Sequence, residues 1–151
     1  MRTIFVERHL HDLFRRIDRL DPTATRRWGR MSAHQAVSHL NDSLRAVLGE
    51  RTGPQYPGGV GRRVIRFIAF TLPLPWPRGV RTTPELDQLR GGTQPGEFEE
   101  DRSELKALLS RIAGSSGRNL PVHHIWGAMP PGQVGRYAYR HVDHHLRQFG
   151  A

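Results

Sequence analysis

The chain has 151 residues, no cysteine, and 23 Lys plus Arg against 14 Asp plus Glu, a formal net charge of +9. That length suits a single domain, 1–151, with room for a core that needs no cross-links. The missing cysteine excludes disulfides and thiolate–metal sites and fits a reducing, cytoplasmic setting.

The first eight residues carry no long apolar core, so no signal peptide is expected. The most apolar segment, 64–74, is too short to span a bilayer and contains Pro73, so no membrane partner is expected. Almost all of the positive charge is arginine; Lys106 is the single lysine. Short arginine pairs (Arg15-Arg16, Arg26-Arg27, Arg62-Arg63) are spread along the chain. There is no arginine-rich tail and no aromatic-interleaved groove, so nucleic acid is not the expected partner.

Residues 2–20 read as a first helix. Ile4, Phe5, Leu10, Leu13, Phe14 and Ile17 supply an apolar face, and Asp21-Pro22 stops it. The second helix starts at Ser32, where Ser32 and Gln35 form a capping-box pattern. Val37, Leu40, Leu44, Val47 and Leu48 make its stripe, and Gly49 lies near its end. Pro54, Pro57, Gly58 and Gly59 mark a loop. Residues 60–72 read as a third helix, with a strand as the alternative because Ile65, Phe67, Ile68 and Phe70 are apolar nearly all round. Residues 73–96 form a long Pro/Gly-rich connection with an apolar hook at Trp76, a length that points to function or mobility.

A fourth helix is expected over 97–112. Its glutamates complement the positive helix end, and Gly114-Ser115-Ser116-Gly117 terminates it. Residues 120–126 read as extended or irregular. Pro130-Pro131 opens a last helix running to about 149. Four or five helices without hairpin signals define an all-α fold, a helical bundle in which the long connection joins the two halves.

The last helix carries the chemistry. His141 and His145 are one turn apart, which brings Cβ atoms to roughly 5–6 Å; both rings can then reach one ion, since a metal–nitrogen bond is about 2.0–2.1 Å. With Val134 as reference and about 100° per residue, His141 and His145 fall within about 20° of the stripe centre. They should point into the bundle, where each buried ring needs a partner. His144 falls at the stripe margin. His39 lies about 120° from its own stripe centre, facing either a cavity or solvent. His34 reads as a surface or capping residue. His9, His11, His123 and His124 have no spacing argument; the last two precede a Trp-Gly turn, at a pocket mouth or in solvent.

Two segments carry a family resemblance. Trp28-Gly29-Arg30-Met31-Ser32-Ala33-His34-Gln35-Ala36-Val37-Ser38-His39-Leu40 resembles the opening of helix two in the DinB-like, or YfiT-like, metalloenzyme superfamily. His123-His124-Ile125-Trp126-Gly127-Ala128-Met129-Pro130, followed by the stretch from His141-Val142-Asp143-His144-His145 through Leu146-Arg147-Gln148-Phe149-Gly150, resembles the H-x-D-H-H-L-R-Q-F-G ending of a branch of unknown function. The chain departs from that branch at His124, where the branch has proline, and at Trp126, where it has phenylalanine; Leu146 stands where the wider family has arginine.

The resemblance implies an up-down-down-up four-helix bundle, a homodimer, and a divalent metal held by His39, His141 and His145. Zinc comes first, with nickel or iron as alternatives; imidazole ligation also suits copper. It implies a metal-dependent thiol S-transferase with a low-molecular-weight thiol as cosubstrate and a small-molecule substrate. The metal favours the thiolate, which is the nucleophile, and arginines steer the anionic thiol. The alternatives are a non-catalytic metal- or ligand-binding bundle, a metal-dependent hydrolase, and a nucleic-acid-associated protein. Tyr137, Asp143 and His144 are equal candidates for a general base.

Overall fold

The computed structural model describes residues 1–54, 59–72 and 74–151, and for Arg62 the backbone only. The loop expected at Pro57 and Gly58, and Pro73 at the head of the connection, lie outside the described residues. The fold is all-α. Its helices are α1 (Glu7–Asp18), α2 (Ala33–Leu48), α3 (Val60–Thr71), α4 (Phe98–Gly114) and α5 (Pro131–Gln148), with a 3₁₀ turn at Pro84–Leu86. The described residues form no strand; His123 and Gly127 make a single antiparallel bridge. No helix among them is long and apolar enough to cross a membrane.

Helix α2 packs along α4 and α1 along α5, with further α1–α4, α2–α5 and α4–α5 contacts. Leu13, Ile17, Leu40, Leu44, Leu105, Leu108, Leu109, Ile112, Val142 and Leu146 fill the shared core. Each fully buried leucine or isoleucine there contributes roughly 1.5–3 kcal/mol relative to an exposed one. Helix α3 leans on α5 alone among the helices, which leaves Val60, Val64, Phe67 and Ile68 exposed.

Helix α1 begins at Glu7, five residues after the expected start. Ile4 and Phe5 instead run as a non-helical segment across α5. The Ile4 N–H donates to the Gly135 carbonyl at 3.2 Å. A Cβ at Gly135 would lie 2.6 Å from the Phe5 ring, so only glycine permits this crossing. The apolar pattern was real, but it serves a tertiary contact. The helix also ends earlier, at Asp18, with Arg19 as its cap.

Helix α2 follows the expectation closely. Ser32 accepts from the Gln35 N–H at 3.1 Å, and Gln35 Oε1 accepts from the Ser32 N–H at 2.9 Å. Gly49 closes the helix in the left-handed region, φ 76°, where a side chain costs free energy. The third segment is helical rather than a strand. Helix α4 runs two residues beyond the expected 112.

The long connection is ordered rather than structureless. Leu86, Asp87 and Gln88 are buried. The anchor is Asp42 of α2, whose side chain is fully buried. Its carboxylate accepts from Gln88 Nε2 (2.8 Å), the Thr93 N–H (2.8 Å) and Thr93 Oγ1 (2.7 Å). Arg51 Nη1 pairs with it at 3.2 Å. Removing one partner from a buried charged network strands the others, which costs about 3–5 kcal/mol. Asp42→Ala is therefore expected to lower the unfolding free energy by about 3 kcal/mol in urea titrations. Ser32→Ala, which removes only a cap, should cost about 1 kcal/mol; equal losses would refute the anchoring role.

Candidate metal centre

His39, on α2, is 3 % exposed. His141 and His145 come from α5 and are partly buried. The three ring centroids form a near-equilateral triangle: 5.0 Å for His39–His141, 5.0 Å for His39–His145 and 5.1 Å for His141–His145. Candidate ligand atoms of all three lie within 4.8 Å of one another, an arrangement that could hold a metal ion. His39, which helical periodicity alone left undecided, faces inward with the other two.

Hydrogen bonds assign the tautomers of two rings. His39 Nδ1 lies 2.7 Å from the Leu86 carbonyl, which can only accept. Nδ1 therefore carries the proton, and Nε2 presents a lone pair. His145 Nδ1 lies 2.8 Å from Gln148 Oε1. The Gln148 amide is itself oriented by donation from Nε2 to the Trp28 carbonyl at 2.7 Å. The His145 proton is thus on Nδ1 as well. His141 Nε2 sits 3.1 Å from His39 Nε2, and its buried Nδ1 has no hydrogen-bond partner.

The resulting cluster is rich in acceptors. Three neutral imidazoles own three N–H groups, and two of these are committed outward, to Leu86 and Gln148. The third belongs to His141: on Nε2 it bridges to His39 and leaves two lone pairs facing inward, and on the otherwise unpartnered Nδ1 it leaves three. A cation satisfies such a set. Two nitrogens about 2.05 Å from a tetrahedral ion would be about 3.3 Å apart, close to the 3.1 Å between His39 and His141. The residues therefore fit a divalent ion, with the His39 and His145 rings held from behind in the way ligand histidines usually are.

Electrostatics point the same way. Burial pushes His39 below its ordinary value, against the Leu86 hydrogen bond. Burial also drives His141 and His145 well below theirs, helped by the neighbouring imidazoles. The rings stay neutral, the form that ligates.

The triad lies on the wall of a cavity of about 820 Å³ between the connection, α3 and α5. Trp28, Trp76 and Trp126 line it, with Ile65, Ile68, Tyr137 and His144. Trp76 folds back on α3, its Nε1 donating to the Ala69 carbonyl at 2.9 Å, and its ring lies 5.6 Å from His141. Of the three candidates for a base, Asp143 faces elsewhere. It pairs with Arg16 of α1 at 2.7 Å and with Arg147 at 3.6 Å. Tyr137 and His144 remain beside the triad. Burial raises the Tyr137 phenol and lowers His144.

The other histidines stay apart from this centre. His34 pairs with Asp101 at 2.8 Å, His11 is near Glu7, and His9 meets the backbone of Thr3. His123 and His124 are neither solvated nor at the mouth. They are 1 % and 5 % exposed and stack face to face at 5.0 Å. His123 Nδ1 accepts from the Ile125 and Trp126 N–H groups, so its ring organises the turn. Sequence reasoning missed the Leu86 carbonyl, since a backbone acceptor leaves no side-chain signal. Gln148 was missed as well, although its place three residues after His145, on the same helix face, is a signal that could have found it. Comparison with family models, with curated proteins and with solved structures found no match to this chain.

His123 gives the site region a pH signature. Burial, with a smaller push from His124, lowers it from 6.5 to about 3. An unfolded chain then binds a proton that the native ring refuses, so stability is full above about 6.5 and falls as pH drops toward 3. The urea midpoint should decline over that range. His123→Asn, which keeps a backbone acceptor and removes the titration, is expected to show a shallower decline; an identical acid limb would remove His123 as its source.

Proposed function

We propose that this chain is a DinB-like, up-down-down-up four-helix bundle and a metal-dependent enzyme of the thiol S-transferase type. Its divalent ion, zinc first and nickel or iron next, is held by His39, His141 and His145. The observation that carries the reading is the convergence of three neutral imidazoles, two with their second nitrogen pinned, on the wall of a roomy cavity. An ion bound there supplies a Lewis acid that favours the thiolate form of a low-molecular-weight thiol.

The chain's own residues do the rest. His39 and His145 are kept in register by Leu86 and Gln148. Trp28, Trp76 and Trp126 exclude water from the space beside the triad, which strengthens electrostatic interactions within it. Without a cysteine of its own, the protein borrows its sulfur nucleophile. The thiolate attacks a small-molecule electrophile held in the cavity, forming a carbon–sulfur bond as the leaving group departs.

Elemental analysis of the purified protein is expected to find one divalent ion per chain, absent from His141→Ala and His145→Ala. Gln148→Leu should bind the ion about 10–100-fold more weakly. Equal metal in all of these proteins would sink the site. Glutathione, mycothiol and bacillithiol are then tested against chlorodinitrobenzene, with metal-dependent chloride release as the expected result. Metal without turnover would leave a non-catalytic binding bundle.

We also propose a homodimer. The support is the row Val60, Val64 and Phe67 on α3, 78 %, 50 % and 54 % exposed, a contiguous apolar face that a lone soluble helix seldom presents. Light scattering should give twice the chain mass of 17.2 kDa, and Phe67→Glu should halve it; a monomeric wild type would dismiss the dimer.

A further inference from the structure

Three kinds of group line the cavity. One is the triad. A second is apolar surface from Trp28, Trp76 and Trp126 with Ile65 and Ile68. The third is basic: Arg30, Arg81, Arg90 and Arg140 line the cavity against one lining carboxylate, Asp87.

That carboxylate is already shared. Arg30 approaches Asp87 at 3.7 Å and Arg90 at 3.9 Å. Arg140 donates to the carbonyls of Leu72 and Leu74, which hold its guanidinium in place over Trp76 without neutralising it. Arg81 has no hydrogen bond or ion pair among the described residues. The wall thus carries an excess of three formal positive charges, and a bound divalent ion would add to them. Low-dielectric walls focus such a field into the cavity. The fork of Arg81, unengaged among the described residues, is matched to carboxylate geometry.

We infer that the small-molecule substrate of this site is an amphipathic organic acid, with an apolar body seated among the tryptophans and a carboxylate on Arg81, within the field of the other lining arginines. This rests on the reading of the cavity as the place where the electrophile binds. A polar thiol alone would leave the apolar zone unfilled. A neutral hydrophobe would leave the arginines uncompensated. The cavity's size is within the range of ligand sites, about 300–1,000 Å³.

The protein carries its own reporter. All three tryptophans of the chain line this cavity, so intrinsic fluorescence responds to its occupancy. Three probes separate the apolar from the charged contribution: 3-phenylpropionate, its neutral isostere 3-phenylpropanol, and propionate, which has the charge without the ring. Each is titrated by fluorescence and calorimetry into the full chain, as purified and after EDTA, and into Arg81→Gln. Arg81 is exposed, so its substitution leaves the core intact.

The acid is expected to bind about ten-fold more tightly than either control. Arg81→Gln should weaken the acid several-fold and leave the alcohol unchanged, and added salt should weaken the acid alone. Acid and alcohol binding equally, propionate matching phenylpropionate, or Arg81→Gln leaving the acid unaffected would each overturn the inference. So would selectivity that disappears with EDTA, since the anion would then be choosing a metal over the arginines. The EDTA arm also keeps the two proposals apart: absence of a metal in the purified protein defeats the metal reading and leaves this selectivity to be decided on its own.

Discussion

The buried carboxylate of Asp42 is the constraint on which the site depends. A charge removed from water must be compensated by hydrogen bonds and a counter-charge, or folding loses several kcal/mol. Asp42 finds Gln88 and Thr93 on the connection after α3 and Arg51 on the segment just past the end of α2. Satisfying it therefore pulls residues 84–94 down onto α2. The same Arg51 guanidinium donates to the Glu85 and Gly91 carbonyls, which fixes the path of the backbone between them. Leu86 lies on that path, and its carbonyl holds the His39 proton on Nδ1. Asp42 is three residues after His39 on the same helix, so one element positions the ring and also the segment that sets its tautomer.

Arginine does similar work elsewhere. Arg66 donates to the Trp126 and Ala128 carbonyls at 2.8 and 2.7 Å. Arg140 grips two carbonyls at the start of the connection, and Arg16 joins α1 to α5 through Asp143 and the terminal Ala151 carbonyl. A planar fork with five donors can close an irregular loop that lacks internal hydrogen bonds. Part of the chain's large positive charge is thus structural. Of the arginines that line the cavity, Arg140 has such a duty and Arg81 has none among the described residues.

The sequence was most informative where local rules governed the outcome. The capping box of α2, the proline entry to α5 and the one-turn spacing of His141 and His145 all rest on contacts within a few residues, and all three appear as expected. The inward direction of the α5 histidines followed from its stripe. The failures share a different cause. Ile4 and Phe5 matched a helical pattern, but their partner is Gly135, more than a hundred residues away. The connection looked structureless because the residue that orders it, Asp42, sits in another helix. His123 and His124 looked like loop histidines because nothing nearby in sequence signals burial. His39 was ambiguous by periodicity because its side of α2 faces a cavity rather than the packed core.

Three clustered histidines need not bind anything, so the alternative of a self-satisfied polar core has to be weighed. Such a core works when donors and acceptors alternate. Here Leu86 and Gln148 draw two of the three protons away from the centre, and the Nδ1 of His141 has no partner at all. Protonating one ring would supply the missing donor. Burial opposes that, and so do the neighbouring imidazoles, which would meet any imidazolium with no carboxylate in the triad to compensate it. A bridging water offers two protons and would relieve part of the deficit, but it would leave the outer acceptors choosing their protons against the groups behind them. A cation leaves the Leu86 and Gln148 hydrogen bonds in place, replaces the single contact between His39 and His141, and takes up the converging lone pairs together. The outward-facing partners of His39 and His145 make sense if the inner nitrogens were meant to stay bare.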